Sequence, residues 1–174
     1  MDLTGRLVRL RALRPEDAQG IAANVADPEV VRFIGSWAWN PYTAEDARAY
    51  VGRNDPGSVS WAVEALDDGA FLGTTGLHEI DHRNRHCYWG IALGPPSRWG
   101  RGYGGEACRL ATDWAFQHLG MEKVYLVYYE GNERGRRAYE RAGYREEGVL
   151  PRHQFVDGRL TTVHLMAAYR DGSA

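Results

Sequence analysis

The sequence predicts an α/β fold, with one domain over residues 1–174 and a mixed, twisted sheet of about six or seven strands flanked by four helices. The main observation is a strand over 85–93, an amphipathic helix carrying Ala107 to His118, and an almost continuously apolar strand over 124–129. Such a β-α-β unit predicts two parallel strands joined by a right-handed crossover. A second observation is a run of short segments from Ser58 onward, which predicts antiparallel strands before the unit.

Local signals predict the elements of the first half of the chain. Leu7–Leu13 alternates imperfectly between apolar and polar residues and predicts a first strand. Arg14–Asp17 predicts a helix start, because proline is tolerated in a first turn and acidic residues favour the positive end of the helix dipole. Thr43–Asp46 resembles a capping box and predicts a second helix as far as about Val51.

The remaining elements follow from turn and cap residues. Gly120 predicts the end of the crossover helix, and Asn132 predicts the N-cap of a short helix that ends before Gly143. Further strands are predicted over 61–65 and 71–80, joined by the turn at 67–69, and over 144–150 and 159–168.

The composition is that of a soluble globular protein, with 44% hydrophobic and 25% charged residues. The formal net charge of −2 gives no electrostatic reason to expect a nucleic acid or an anionic membrane as partner. We expect no membrane span and no signal peptide, because the apolar runs are short. Cys87 and Cys108 fall within predicted regular elements, so we expect no disulfide and a cytoplasmic location.

The most informative stretch is Trp99–Ala107, in which glycines alternate with an arginine and a tyrosine just before the crossover helix. Glycine lets a ligand approach backbone amides without meeting a Cβ, and the amides at a helix N-terminus attract anions. Arg98 and Arg101 add positive charges beside those amides. The stretch therefore predicts a cradle for a pyrophosphate.

Two known phosphate-binding patterns, that of dinucleotide-binding proteins and the P-loop, do not fully match this stretch. Gly100, Gly102 and Gly105 fit G-x-G-x-x-G, the pattern of dinucleotide-binding proteins, which is a weak signal on its own. That class places an acidic residue about 20 positions further on to hold a ribose, whereas here the next strand ends later, at Glu130. A P-loop is excluded, because no Gly-Lys-Ser/Thr follows the glycines.

Together with its surroundings, the stretch resembles the acyl-CoA pyrophosphate loop of the GNAT acetyltransferase superfamily, Q/R-x-x-G-x-G/A. It is most similar to the branch of the ribosomal-protein alanine N-acetyltransferases (RimJ/RimL-like), in which a tryptophan is usual at the Q/R position, as Trp99 is here. Other segments match that branch in order along the chain: Arg14–Ala18, Gly73–Leu77, Ile80–Asp81, Gly90–Leu93 and Asn132–Tyr144. In the last of these, Gly135 replaces a serine and Tyr144 a phenylalanine.

The resemblance implies that two parallel strands, 88–93 and 124–129, splay apart and admit the pantetheine arm of acetyl-CoA. It also implies acetyl transfer to a primary amine by direct attack on the thioester, with no metal. Backbone N–H groups near Ile91 to Leu93 are then the natural donors to the oxyanion. The residues expected to bind CoA are Ile91, Ala92, Leu93, Arg98, Trp99, Gly100, Arg101, Gly102, Tyr103, Gly104 and Asn132.

Asn132 and Tyr139 are two helical turns apart and so share one helix face. From the residues alone, Asn132 fits an ordinary N-cap and Tyr139 a core aromatic. The resemblance implies that Asn132 holds the pantetheine arm and that Tyr139 is a catalytic residue near the thioester sulfur. In some relatives the serine replaced by Gly135 is credited with assisting the leaving thiolate, so here only Tyr139 could do so.

The acceptor side of the predicted site is less well defined. Glu79 is the candidate proton acceptor, since its counterpart strand in the superfamily faces the acceptor cleft, and this role requires a pKa raised by burial. A solvated glutamate at a strand end is the alternative. Trp37, Trp39 and Tyr42 could bind the ammonium group through their aromatic faces, or could simply pack beneath a loop.

Three histidines, His78, His82 and His86, recur every four residues. That spacing would align metal ligands on a helix, but the segment is predicted to be a hairpin, in which they would not meet. We therefore expect polar turn residues and no metal site.

The sequence thus predicts an acetyl-CoA-dependent N-acetyltransferase, monomeric or homodimeric, that acts on a small-molecule amine such as a polyamine or on a protein N-terminus. Two other functions stay open at this point. A nicotinamide-dependent oxidoreductase would use the same glycines, although the ribose-binding acid is missing. A non-catalytic CoA-binding sensor would share the fold, and Gly135 is compatible with it.

Overall fold

The computed structural model describes residues 1–35 and 42–172, which form an eight-stranded sheet with helices packed on it. The strands are β1 (Leu3–Thr4), β2 (Val8–Arg11), β3 (Val59–Ala65), β4 (Phe71–Asp81), β5 (His86–Leu93), β6 (Lys123–Tyr129), β7 (Arg145–Val156) and β8 (Arg159–Tyr169). The helices of this part of the chain are α1 (Asp17–Ala26), α2 (Pro28–Val31), α3 (Ala44–Val51), α4 (Tyr103–His118) and α5 (Glu133–Arg141), with a 3-10 turn at Pro96–Arg98. The predicted α/β class is confirmed, and the short elements β1 and α2 come in addition to those predicted.

The sheet has the strand order β1-β2-β3-β4-β5-β6-β8-β7. Its neighbouring strands are antiparallel except for β5 and β6, which are parallel and joined by α4, as the β-α-β unit predicts. These two strands pair only over His86–Tyr88 and Lys123–Tyr125. Beyond these residues they separate, so the predicted splay is confirmed and lies at the C-terminal end of β5.

The two faces of the sheet carry different helices. On one face α4 covers the main core, which includes Leu77, Trp89 and Leu126. A second, smaller core forms where α1 and α3 pack together around Ile21 and Ala47, with Phe71 of β4 against them. Among the described helices, none is long and apolar enough to cross a membrane.

The start of α4 differs from the prediction. The helix begins at Tyr103, with Gly102 as N-cap at φ 90°, a left-handed conformation that glycine adopts without steric cost. Gly104 and Gly105, expected in the loop, therefore lie in the first helical turn. This places their amides at the positive end of the helix dipole.

The other caps follow the sequence more closely. Thr43 and Asp46 form the predicted capping box at the start of α3, and Asn132 caps α5 as predicted. For α1 the predicted start lies too close to the N-terminus of the chain. The helix begins at Asp17, and Pro15, expected in its first turn, precedes it.

Candidate active site

A cavity of about 310 Å³ opens at the splay, between the end of β5, the N-terminus of α4 and one side of α5. Its walls include all the residues that the sequence predicts for CoA: Ile91, Ala92, Leu93, Arg98, Trp99, Gly100, Arg101, Gly102, Tyr103, Gly104 and Asn132. Tyr139 also lines the cavity, and α2 contributes Glu29 and Val30, which the sequence analysis did not single out. One concave site thus gathers residues that are distant along the chain.

The N-terminus of α4 supplies an anion site to this cavity. The first intrahelical bond runs from the Glu106 N–H to the Gly102 carbonyl, at 3.1 Å. The N–H groups of Tyr103, Gly104 and Gly105 precede it and have no acceptor within the helix. All three residues line the cavity, so their amides and the helix dipole can together bind a phosphate.

Arg98 lines the cavity, and its charge is already paired with carboxylates of this chain. Its guanidinium group pairs with Asp68 in the β3–β4 turn, and Asp67 lies 4.0 Å away. The Tyr103 hydroxyl also donates to Asp67, at 3.1 Å, so Tyr103 offers the cavity its amide rather than its side chain. Arg101 is exposed and takes part in none of the ion pairs among the described residues.

Arg134, in the first turn of α5, is a cation that the sequence analysis missed. Its guanidinium carbon lies 3.7 Å from the centre of the Trp99 ring, which makes a cation–π contact. Burial lowers the pKa of Arg134, but an arginine remains charged at neutral pH. Trp99 in turn donates its indole N–H to the Leu93 carbonyl at 2.9 Å, so the same ring fixes the loop to β5.

The splayed end of β5 supplies backbone donors. The Gly94 N–H donates to the Leu72 carbonyl at 2.8 Å, across the β4–β5 pair. Because N–H groups alternate in direction along a strand, those of Ile91 and Leu93 point away from β4, to the side where β6 has separated. Donors placed in this way can stabilise a developing oxyanion.

Gly135, where the family motif has a serine, lies directly against the side chain of Asn132. The Asn132 carboxamide oxygen accepts the Gly135 N–H at 3.0 Å and thereby caps α5. A Cβ on residue 135 would lie only 2.7 Å from the Asn132 amide nitrogen. Gly135 therefore leaves room for this conformation of the Asn132 carboxamide, which would have to shift if residue 135 carried a side chain.

Tyr139 lies deeper in the cavity, on the same face of α5. Its ring meets Trp89 edge-on, with 5.6 Å between ring centres, and its hydroxyl bonds to none of the described residues. Burial raises the pKa of Tyr139, so the phenol is protonated at neutral pH. The raised pKa also makes transfer of its proton to another group unfavourable. The lowered pKa that full proton transfer to a thiolate would require is not found.

Glu79 lies outside this cavity, in a β-bulge of β4 between His78 and Asp81, with φ 51°. The bulge turns its side chain to solvent, where the Tyr125 hydroxyl donates to the carboxylate at 2.8 Å. The predicted burial of Glu79 in the cleft is therefore wrong.

The remaining predicted site residues lie elsewhere. Tyr42 packs against the smaller core between α1 and α3, and burial raises its pKa. Trp37 and Trp39 lie outside the described residues. His78, His82 and His86 fall on β4, in the following turn and on β5. Within residues 1–35 and 42–172, no group of three or more His, Cys, Asp or Glu side chains is placed to hold a metal ion.

Comparisons with known proteins agree with this geometry. The family model described as "Acetyltransferase (GNAT) domain" matches residues 7–145. The spermidine N(1)-acetyltransferase of Escherichia coli K12 is 29% identical over 166 residues, which cover 94% of this chain and 86% of the relative. YdaF of Bacillus subtilis, provisionally named a ribosomal N-acetyltransferase, is 30% identical over 159 residues, which cover 87% of this chain and 85% of YdaF.

Solved structures show the same fold. A spermidine N-acetyltransferase from Vibrio cholerae, in complex with CoA and spermine, superposes with a TM-score of 0.83 at 24% identity, covering 95% of this chain and 96% of that one. An acetyltransferase of Bacillus anthracis has the same TM-score of 0.83 at 18% identity, with 98% and 99% covered. Since the family match spans the chain from β2 to the start of β7, the protein belongs to the GNAT family and is an acetyltransferase with acetyl-CoA as cosubstrate.

Proposed function

We propose that the protein acetylates a primary amine of a small polyamine-like molecule. One observation carries the acetyl-transfer part of the proposal: the cavity joins an anion site at the N-terminus of α4 to N–H groups of β5 that face the gap left by β6. A diphosphate at one end and a thioester at the other fit that arrangement. The binding groups at the two ends come from helix α4 and strand β5.

The residues divide the work of binding. The first-turn amides of α4 hold the diphosphate, and Arg101 and Arg134 balance its charge. Asn132 uses its carboxamide oxygen for the helix cap, so its amide hydrogens are left to donate to a pantetheine carbonyl.

Two groups act on the reacting atoms. The N–H groups of Ile91 and Leu93 stabilise the oxyanion that forms when the amine attacks, and one such donor contributes about 3 kcal/mol. Tyr139 donates a hydrogen bond to the departing thiolate and retains its proton, because burial keeps the phenol neutral.

The acceptor enters from the opposite side of the sheet, by way of Glu79. This carboxylate is exposed and held by Tyr125, whose ring lies 5.5 Å from that of Tyr88. A carboxylate beside aromatic faces attracts an alkylammonium ion. The relatives named for spermidine support a polyamine acceptor, and YdaF supports a protein N-terminus as the second candidate.

An acceptor panel tests the proposal. CoA thiol release is measured with acetyl-CoA and spermidine, spermine, simple monoamines or short peptides with an N-terminal alanine, and product masses are determined. We expect turnover with spermidine or spermine and a gain of one acetyl group. Turnover with the peptides alone would favour the second candidate, and no turnover with any amine would contradict both.

Glu79→Gln tests the entrance. We expect the KM for the amine to rise about tenfold at neutral pH, because an attraction for the ammonium ion is lost, with a smaller deficit at high pH as free amine accumulates. Glu122→Gln, an exposed carboxylate paired with Arg85 on another part of the surface, is the matched control. Equal amine KM values in both variants would remove Glu79 from the acceptor site.

A further inference from the structure

His78 projects from the sheet face opposite α4. Its neighbour Leu77 is buried in the main core under α4, and side chains alternate along a strand, so His78 points the other way. Tyr88 and Tyr125 project from the same face of the next two strands. Ring centres are 6.5 Å apart between His78 and Tyr88 and 5.5 Å apart between Tyr88 and Tyr125.

Two glycines give the imidazole ring its position. Gly76 and Gly90 pair across β4 and β5. A Cβ on Gly76 would lie 3.0 Å from His78 Nε2, and a Cβ on Gly90 would lie 3.8 Å from the same atom. The ring therefore lies back over this glycine pair, towards the splayed end of β5. Gly90 directly precedes Ile91, whose N–H faces the splay.

The surroundings leave the imidazole available as a proton acceptor. It forms no hydrogen bond with any residue in the described parts of the chain. The charged groups near it are Asp55 and Arg53, from the segment between α3 and β3, and Glu79 on its own strand. Burial lowers the pKa of His78, and the two carboxylates oppose that effect only in part, so the ring is neutral at physiological pH. Tyr88 and Tyr125 complete its surroundings from β5 and β6.

We propose that His78 is the general base that deprotonates the acceptor amine, an inference that rests on the proposed amine acetylation. The placement over Gly76 and Gly90 puts Nε2 beside the residue that precedes Ile91, the first of the backbone donors expected to hold the acetyl carbonyl. Glu79, by contrast, is turned to solvent by the bulge. Glu79 then binds the incoming ammonium ion and His78 takes its proton. A proton acceptor on this face complements Tyr139, which approaches from the face of α4 and α5.

The reaction balances as follows. The ammonium group gives one proton to Nε2, which leaves a neutral amine and an imidazolium ion. The nitrogen lone pair attacks the thioester carbon, the C–N bond forms, and the C–S bond breaks with its electron pair on sulfur. The acetylated nitrogen loses its second proton to the thiolate, which yields the CoA thiol, and the imidazolium returns its proton to solvent.

The test compares His78→Gln with His82→Gln, a histidine exposed in the β4–β5 turn. With a verified amine, we expect His78→Gln to lower kcat/KM about 100-fold at pH 7, the lower end for general-base catalysis. The deficit should shrink as the pH approaches the amine pKa of about 10, where free amine is abundant. His82→Gln should follow the wild-type profile, and both variants should bind CoA with wild-type affinity by calorimetry.

A second variant makes the role specific. His78→Ala leaves space over the glycine pair, so added imidazole should restore turnover in a concentration-dependent manner. If the loss of activity came from disturbed packing and not from the missing base, added imidazole would not restore turnover. Superimposable pH profiles of wild type and His78→Gln would overturn the proposal while leaving amine acetylation intact. No turnover by the wild type with any amine would overturn both.

Discussion

The guanidinium carbon of Arg134 lies 3.7 Å from the centre of the Trp99 ring. Trp99 occupies the position at which the general CoA-loop motif has glutamine or arginine. The stack therefore places an arginine from α5 next to the loop, while the indole N–H binds the end of β5. The Trp99 ring thus contacts both α5 and β5 from the loop before α4. The positive charge beside the loop comes from Arg134 of α5, and not from an arginine at the Q/R position of the motif.

Arg134→Ala should weaken CoA binding about tenfold, because a charge-assisted contact with the phosphates is lost. The salt dependence of the affinity should decrease as well, since one fewer positive charge acts on the ligand. Calorimetric titration of CoA at two salt concentrations measures both effects. Arg109→Ala, which removes an exposed arginine paired with Asp113 on α4, is the control. Equal affinities in the two variants would assign Arg134 to packing.

Gly102→Val should abolish detectable CoA binding. Gly102 has φ 90°, which a β-branched residue disfavours, and its added Cβ would lie 3.1 Å from Leu7 Cδ1, so we expect the N-terminus of α4 to shift. Gly120→Val is the matched control, because Gly120 also has a positive φ, 67°, but has open space around it and lies outside the cavity walls. Both variants should lose about 1–2 kcal/mol of stability, and only Gly102→Val should lose the ligand. Retained CoA binding would contradict the assigned anion site.

Tyr139→Phe should lower kcat about tenfold or more with little change in the KM for acetyl-CoA, because the hydrogen bond forms only as the thiolate develops. Since burial raises the pKa of Tyr139, the phenol stays protonated and the deficit should be constant between about pH 6 and pH 9. Tyr144→Phe, which removes a buried hydroxyl bonded to Thr112, controls for loss of stability. An unchanged kcat in Tyr139→Phe would make Tyr139 a core aromatic.

The features predicted well from the sequence are those set by neighbouring residues. The capping box at Thr43 and Asp46 and the cap at Asn132 involve contacts between residues three positions apart. The separation of β5 and β6 is predicted because the motifs of the family occur in the same order along this chain. The helix α2 also carried a readable signal, because Asp27 accepts the Glu29 N–H and Pro28 opens the helix.

The features missed depend on contacts between distant segments. Arg98 meets Asp68 only because the β3–β4 turn folds against the loop, and Arg134 meets Trp99 only when α5 is in place. Glu79 is exposed because an extra residue in β4 shifts its register, and an alternating pattern does not show where a bulge falls. The motif therefore predicts where the cavity lies. Which charged side chains lie at the cavity depends on contacts between segments that are distant in the sequence, and the motif does not show these contacts.

Glu106 provides a test of how the anion site is held. Its carboxylate accepts the N–H groups of Arg6, Leu7 and Val8, at 2.9, 2.6 and 2.9 Å, and so clamps the β1–β2 turn to the first turn of α4. Burial alone would raise the pKa of Glu106, but the three donors outweigh it and lower the pKa. This stabilisation is present above the unfolded-state pKa of about 4.3 and is lost as the pH falls through the lower, folded-state value.

Glu106→Gln should therefore destabilise the protein by about 2 kcal/mol at pH 7, because an amide group replaces a charged acceptor and brings its own N–H towards three N–H donors. The difference from wild type should narrow as the pH falls below 4, where the wild-type carboxylate becomes protonated. Urea unfolding at pH 7 and at pH 3 measures this, and Asp113→Asn on the exposed side of α4 is the control. Because Leu7 is next to Gly102, we also expect a higher KM for acetyl-CoA with kcat retained. A stability loss that is equal at both pH values would show that Glu106 acts through packing and not through its charge.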